Sequence, residues 1–251
     1  MLGADHPETL TARLNLAAAY RETGRLDEAV ALLTRTLADR ERVLGPDHPH
    51  TFSARLNLAD TYQAMGRLDE SIALLTGTLA RSERALGIDH PHTLTARHSL
   101  AFAYRMVGRL AEAIALYTRV LDDRERVLGP DHPSTFGSRN NLAYTYQLAG
   151  QVDEALALFA RTLADRERVL GPDHPNTLGS RHNLAQANQA MGRIDEALAL
   201  FTRALADRER VLGPEHPHTR LTRGNLAAAY RAAGRAEDAD ALLRPDEPRS
   251  E

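Results

Sequence analysis

Histidine and acidic residues recur together along the sequence, and such side chains could bind a metal or form part of a catalytic triad. An Asp-His or Glu-His pair precedes proline six times, at His6, His48, His90, His132, His174 and His216. Three copies continue as His-x-His, which gives the pairs His48/His50, His90/His92 and His216/His218. A catalytic group is needed once, whereas a group repeated at every turn helps to build the turn. Each His-x-His pair offers a metal only two ligands. We therefore expect no catalytic residue, no metal site and no cofactor, and expect Asp or His to cap the helix that begins at each proline.

These motifs belong to a repeat of 42 residues that covers the chain without insertion or deletion. Six glycines keep the same step as the His-Pro pairs: Gly24, Gly66, Gly108, Gly150, Gly192 and Gly234. Self-similarity at a fixed period is typical of repeat architectures, in which each copy is one supersecondary unit. The predicted array covers residues 1–245, with repeats at about 6–47, 48–89, 90–131, 132–173, 174–215 and 216–245. A disordered polar tail is expected at residues 246–251.

Each unit is predicted to contain two helices. In the second copy, apolar residues at helical spacing from Thr51 to Ala64 predict helix A, with Pro49 in its first turn. Gly66 ends this helix, and a second apolar stripe predicts helix B over residues 68–86. Pro245 is expected to cut the sixth helix B short. Because only a neighbouring hairpin can cover the apolar face of each unit, we predict an all-α solenoid.

Composition narrows the classes of function. The 251 residues carry a net charge of −3, and Arg and acidic residues are interleaved, so no basic stripe suits nucleic acid. Cysteine is absent, which excludes disulfides and fits a reducing cytoplasm. No run of about 18 apolar residues and no apolar leader occur, so we expect no membrane contact and a cytoplasmic location.

The repeat resembles a known family. Seven positions of the second copy match the tetratricopeptide signature: Asn57, Leu58, Ala59, Tyr62, Gly66, Glu70 and Leu79. The 42-residue length, the long helix B and the motif at residues 128–133 resemble the kinesin light chain subtype. The resemblance covers the whole chain. It implies a right-handed superhelical solenoid of six helix-turn-helix units, in which helix A lines a concave groove that binds a protein or peptide.

Similar Arg-rich arrays lie C-terminal to NB-ARC nucleotide-binding modules in bacterial signalling proteins. This sequence has no Gly-rich loop ending in Lys, so any such module lies outside it. The chain begins in mid-motif at Met1, and neither end has an obvious polar capping helix. We therefore expect a segment of a larger protein whose terminal faces stack end to end on other copies.

The resemblance implies that one column of helix A grips the main chain of a peptide. This column contains Asn15, Asn57, Asn141, Asn183 and Asn225. A carboxamide offers both a donor and an acceptor to a peptide group. Ser99 occupies the third position, where we expect a weaker grip. The alternative is that the asparagines bond to neighbouring helices and only fix their packing.

Two variable columns would determine specificity. Phe102 and Tyr144 are adjacent aromatic residues in the column three positions after the asparagines, and they predict a pocket for a large apolar side chain. Alternatively, Phe102 packs against a neighbouring helix. The next column contains Arg21, Arg105 and Arg231 but no acidic residue, which favours a partly acidic ligand.

Two further columns are candidates for ion pairs between helices. The first contains Arg13, Arg55, Arg97, Arg139, Arg181 and Arg223, and the second contains Glu41, Glu83, Glu125, Glu167 and Glu209. We predict that these arginines and glutamates pair, because a guanidinium fork matches a carboxylate. The alternative is that each arginine lies solvated along its own helix.

One repeat departs from the expected core. Tyrosine occupies one column in five repeats, but the fifth repeat has Asn188 there. Either Phe159 and Phe201 compensate from helix B, which we favour, or the joint is locally weak.

The sequence as a whole predicts a protein- or peptide-binding scaffold and no enzyme. The alternative function is a self-associating or sensing arm of a larger signalling protein, such as an NB-ARC-type ATPase. The two differ in whether the groove binds another polypeptide or a second copy of the chain.

Overall fold

The computed structural model describes Gly3 and residues 5–244, and within these residues it contains twelve helices and no strand. Six are helices A: α1 (Pro7–Glu22), α3 (Pro49–Ala64), α5 (Pro91–Met106), α7 (Pro133–Leu148), α9 (Pro175–Ala190) and α11 (Pro217–Ala232). Six are helices B: α2 (Leu26–Leu44), α4 (Leu68–Leu86), α6 (Leu110–Leu128), α8 (Val152–Leu170), α10 (Ile194–Leu212) and α12 (Ala236–Leu243). The predicted all-α fold with a shortened last helix is confirmed. Pro245 and the tail at 246–251 lie outside the described residues.

The chain divides into two compact units, residues 1–130 and 131–251. In the first unit, α1 to α6 pack consecutively, and helices A also contact one another as α1 with α3 and α3 with α5. In the second unit, α7 to α12 pack consecutively, and α9 contacts α11. Nearest-neighbour packing within each unit is the arrangement expected of a solenoid.

Histidine, not aspartate, caps every helix A. The Nδ1 atom of each capping imidazole accepts a hydrogen bond from the backbone N–H two residues later, as His174 does from Asn176 at 3.1 Å. The proline that follows begins the helix, where a missing N–H costs no hydrogen bond. Gly66 then ends α3 with φ 73°, a left-handed conformation that penalises residues with a Cβ.

The core consists of small clusters between successive hairpins. One cluster of the first unit contains Leu56, Leu75 and Leu100, and one cluster of the second contains Phe201 and Leu226. Alanines fill the close contacts between the helices of these clusters. Because each cluster draws on adjacent repeats, no hairpin buries its apolar face alone.

The fifth repeat buries Asn188 in the column where the other repeats have tyrosine. Its side chain is buried, and its Nδ2 donates to the carbonyl oxygen of Leu184 at 2.9 Å. Phe201 is buried in a cluster with Ala185, and Phe159 in a cluster with Ala187. Each phenylalanine thus packs against the helix A that carries Asn188, and compensation stays the favoured interpretation.

Candidate ligand-binding groove

In the first unit, the asparagine column borders a small pocket between α1 and α3. Asn57 and Arg21, both predicted groove residues, line this pocket together with Ala18 and Thr61. The side chain of Asn57 is half-buried and makes no hydrogen bond with the described residues. Asn15, one repeat earlier, is exposed. The helices A of the first unit thus present carboxamides whose donors and acceptors are available.

The hydroxyl of Ser99, at the third position of this column, is not free in the same way. Ser99 is buried, and its hydroxyl donates to Oδ1 of Asp60 at 3.3 Å, while its backbone oxygen accepts from Nε2 of Gln63 at 3.0 Å. Burial raises the pKa of Asp60, an effect that the charge of Arg21 and the Ser99 hydroxyl oppose. Ser99 therefore joins α3 to α5. Asp60 also places an acidic group beside Arg21, which the sequence analysis did not weigh.

The predicted aromatic pair lies in two different units. Phe102 in α5 is half-buried, and the guanidinium of Arg105 lies 5.0 Å from the centroid of its ring. Tyr144 in α7 is 47% exposed. The pocket expected between the two aromatic residues stays a prediction. Arg231, in the last repeat, pairs with Asp240 of α12 at 3.0 Å.

In the second unit, the asparagines are held by residues of the preceding helix A. Nδ2 of Asn183 donates to Oδ1 of Asn140 at 3.4 Å, and Nδ2 of Asn225 lies 3.1 Å from Nε2 of His182. Asn183 and Asn225 remain half-buried, and Asn141 is half-buried in α7. The structural alternative therefore holds in part here, since these carboxamides do join neighbouring helices.

His182 was missed by the sequence analysis. It is 4% exposed, its Nδ1 lies 3.2 Å from Oγ1 of Thr222, and its ring meets Phe201 edge to face at 5.4 Å. Burial, with a smaller effect from the charge of Arg208, lowers the pKa of His182 to about 4. The neutral imidazole can accept from Asn225 and donate to Thr222. The only sequence signal was its position, directly before the asparagine column.

The predicted pairing of the arginine and glutamate columns is confirmed. Arg55 lies 2.5 Å from Glu41, Arg97 lies 2.8 Å from Glu83, Arg181 lies 2.5 Å from Glu167 and Arg223 lies 2.7 Å from Glu209. The sequence analysis missed a second set of partners, the aspartates of the same repeat's helix B: Asp39, Asp123, Asp165 and Asp207.

We call an arginine of this column, together with its glutamate and aspartate, an arginine clamp. The side chains of Arg97 and Arg181 are each 1% exposed, and each contacts both carboxylates. The solvated alternative is therefore wrong for them. Each complete clamp fixes a helix A between two helices B, and so holds in place the helix that carries the predicted groove residues.

The aspartates of the turns have a separate role. Asp131 pairs with Arg168 at 2.5 Å, Asp5 pairs with Arg42 at 2.5 Å, and Asp89 and Asp173 pair in the same way with Arg126 and Arg210. Each bond joins the turn that precedes a repeat to helix B of that repeat. The described residues contain no cluster of three or more metal-ligating side chains. None of the described helices is long and apolar enough to cross a membrane.

Several solved structures of repeat proteins are similar to this chain. A Podosopora anserina protein of kinesin light chain type, with nearly identical TPR-like repeats, is 35% identical, with a TM-score of 0.75 over 82% of this chain and 97% of its own. BtubC from P. vanneervenii shares the fold at 22% identity, with a TM-score of 0.73 over 90% of this chain and 96% of its own.

A larger protein contains a similar array. The STAND protein with a tetratricopeptide repeat sensor from Pyrococcus horikoshii is 14% identical, with a TM-score of 0.75 over 94% of this chain but only 34% of its own. A search of curated proteins found no match. The tetratricopeptide repeat model matches residues 8–70, 50–126, 99–143, 134–209 and 178–244. The chain therefore belongs to the tetratricopeptide repeat family.

Proposed function

We propose that this tetratricopeptide scaffold for protein interactions binds an extended polypeptide along the asparagine column of its helices A. The observation that carries the proposal is the half-buried carboxamide of Asn57, which makes no hydrogen bond with the described residues and lies beside Arg21. A partly buried amide is stabilised when a partner satisfies its donors and acceptor. The main chain of an extended ligand supplies both kinds of partner.

The nature of the ligand follows from the variable columns. Arg21 and Arg105 favour a ligand with some acidic residues, although Asp60 offsets part of the charge of Arg21. Phe102 in the first unit and Tyr144 in the second each favour contact with a large apolar side chain of the bound segment. The function involves no catalytic residue, nucleic acid or membrane, and the cytoplasmic location expected from the sequence belongs to the same proposal.

A second candidate is a sensing or self-associating arm of a larger signalling protein. The likeness in fold to the tetratricopeptide sensor of the Pyrococcus horikoshii STAND protein favours it. In this case the groove, or the terminal faces by end-to-end stacking, binds another part of the same assembly.

The test compares capture of partners by the wild type and by the variant Asn57→Ala/Asn141→Ala/Asn183→Ala from a lysate of the source cell. Each lost hydrogen bond should cost the complex roughly 0.5–1.5 kcal/mol, so the three together should weaken binding by about 100-fold. Asp69→Ala, which changes an exposed residue of helix B, is the matched control. Thermal unfolding of all three proteins shows whether the fold is intact.

Loss of capture at an unchanged melting temperature supports the proposal. A lower melting temperature with unchanged capture per folded molecule makes the asparagine column structural. If the captured polypeptide is a second copy of the chain, the self-associating alternative replaces the scaffold for other partners.

A further inference from the structure

A second pocket, in the second unit, is lined by basic groups. We call it the cationic pocket. It contains Arg166 of α8, Arg208 of α10, and His216 and His218 at the start of α11, beside Asn183 of the asparagine column. No aspartate or glutamate is among the residues that line it. The pocket therefore adjoins the groove and carries positive charge without a compensating acid.

Arg208 is the more buried of the two arginines. It is 5% exposed, and its Nη1 donates to the backbone oxygen of His218 at 2.9 Å and to Oγ1 of Thr222. Its Nε is buried without a hydrogen-bond partner. Within the described residues it forms no ion pair, in contrast to Arg181 and Arg210 in the same unit. Taking a guanidinium out of water without an opposite charge is costly.

Arg166 repeats this arrangement on the other side of the pocket. Its Nη1 donates to the backbone oxygen of Asn176 at 3.1 Å and to Oγ of Ser180 at 2.7 Å, and its Nε is also buried without a partner. No carboxylate of the described residues pairs with it. Burial, and then the charge of Arg139, lower the pKa of Arg166, so its surroundings disfavour an isolated positive charge.

A glycine keeps the pocket open. Gly179 lies within α9 and lines the pocket, and a Cβ added there would meet no atom within 4 Å. At the same repeat position the first unit has Ser53 and Thr95 on its helices A. A glycine inside a helix lowers helix stability, and nothing in the packing around Gly179 requires one. The space that it leaves borders both arginines.

The first unit provides an internal comparison. Three repeats earlier, the equivalents of Arg166, Gly179 and Arg208 are Arg40, Ser53 and Ser82. Arg40 donates to the backbone oxygen of His50, so the arrangement of a single arginine is the same. A second arginine and the open space are absent there, because Ser82 and Ser53 take their places. Paired arginines around an open space thus belong to the second unit.

We propose that the cationic pocket binds a carboxylate side chain, an aspartate or glutamate, of the polypeptide in the groove. Each arginine has used only Nη1, so one terminal nitrogen of each fork remains for an acceptor. Two such donors match the two oxygens of one carboxylate, and charge-assisted bonds of this kind are among the stronger ones. The inference depends on the proposed function only for the source of the carboxylate.

The experiment titrates the full chain with sodium acetate at constant ionic strength and follows the Arg166 and Arg208 Nε–H signals by NMR. We expect saturating shifts at these two groups and at the Asn183 amide. Arg208→Ser, which recreates Ser82 of the first unit, should weaken acetate binding by at least about 10-fold. Arg40→Ser is the matched control and should leave binding unchanged.

Gly179→Thr recreates Thr95, keeps both arginines and fills the space, so it tests the pocket if Arg208→Ser fails to fold. It should also abolish the saturating shifts. Shifts that rise linearly with acetate, or that persist in a folded variant of either kind, overturn the proposal. A parallel titration with inorganic phosphate distinguishes the chemistry, because a 10-fold preference for phosphate would replace the carboxylate by a phosphorylated side chain.

This result is independent of partner capture. Saturating acetate binding together with unchanged capture by the asparagine variant would retain the cationic pocket and reject the asparagine column as a ligand grip. Loss of capture by the asparagine variant, with no saturable acetate binding, would retain the asparagine column as a ligand grip and reject the cationic pocket.

Discussion

The second and fifth repeats treat the same arginine column differently, and the difference shows what allows a guanidinium to be buried. In the fifth repeat Arg181 contacts Glu167 and Asp207, and its side chain is 1% exposed. In the second repeat Arg55 pairs, among the described residues, with Glu41 alone, and its side chain is 11% exposed, because this repeat has Arg81 where other repeats have aspartate. Two carboxylates satisfy both ends of the fork, whereas one leaves part of it to solvent.

The substitution also changes the turn of the second repeat. Arg81 pairs with Asp47 at 3.2 Å, whereas in the third repeat Asp89 pairs with Arg126, three residues after the helix-B aspartate. Arg84, the equivalent of Arg126, bonds instead to the backbone oxygen of Ala80. A single change of charge in helix B therefore rearranges two sets of ion pairs, one on each side of the helix.

Removing the buried arginine should have the largest effect. Arg181→Met leaves two partly buried carboxylates without their shared partner, and should lower the free energy of unfolding by about 3 kcal/mol. Arg55→Met leaves only the carboxylate of Glu41 without its partner, and should lower the free energy of unfolding by about 1 kcal/mol. Urea unfolding followed by circular dichroism measures both. Equal losses would show that the second carboxylate contributes nothing to the clamp.

Low pH should lower the stability of the second unit, because burial disfavours the protonated form of His182. Its folded pKa of about 4 lies below the ordinary value near 6.5, so the unfolded state binds the proton first and stability falls as pH falls from 6.5 toward 4. Between pH 7 and pH 5 the loss should be about 2 kcal/mol. Urea unfolding at a series of pH values measures it.

The matched variant for this titration is His182→Asn, since Asn140 is the natural residue one repeat earlier. This variant should remove the contribution of His182 to the loss of stability between pH 7 and pH 5. His98 in the first unit, whose pKa burial also lowers to about 4, should continue to contribute its own part. An unchanged pH profile in His182→Asn would contradict the assignment.

Restoring the aspartate should make the second repeat resemble the fifth. Arg81→Asp gives Arg55 a second carboxylate and allows Arg84 to pair with Asp47, so stability should rise by about 1 kcal/mol. The thermal unfolding midpoint of the variant is the measurement. A gain that persists when Arg55 is replaced by methionine would mean that the clamp is not its source.

The smallest effect should come from helix glycines. Gly77 in α4 and Gly179 in α9 both have open space at the Cβ position and ordinary helical backbone. Gly77→Ala and Gly179→Ala should each add about 0.5–1 kcal/mol to the free energy of unfolding. Thermal unfolding compares them. A loss of stability at either site would point to a contact that the glycine permits.

The fold was predictable because one period fixes glycine, proline and the apolar stripes together, as at Pro49 and Gly66. The pairing of Arg55 with Glu41 was predictable because both columns have no exception. The aspartate partners were missed since Arg81 interrupts their column. His182 was missed because its column contains leucine, histidine, asparagine and glycine, so no pattern marked it.

The sequence did not show which asparagines of the column are available to a ligand. Whether a carboxamide faces a ligand or a neighbour depends on the residue opposite it in the adjacent repeat. Asn57 shares its pocket with Leu14, which cannot bond to it, whereas Asn225 meets His182. Identical asparagines therefore differ in availability, and the difference lies in tertiary contacts between columns.

The arginine clamp has a consequence for how such chains evolve. Arg97 and Arg181 each pair with the glutamate of the preceding repeat and with the aspartate of their own repeat. The same arginine, glutamate and aspartate positions therefore recur 42 residues further along the chain. Unequal crossing-over that adds or deletes one whole period would join a new pair of copies with the same three charges in place. Gene length can thus change in steps of one repeat, and a junction stays electrostatically complete wherever the copies that it joins carry all three charges.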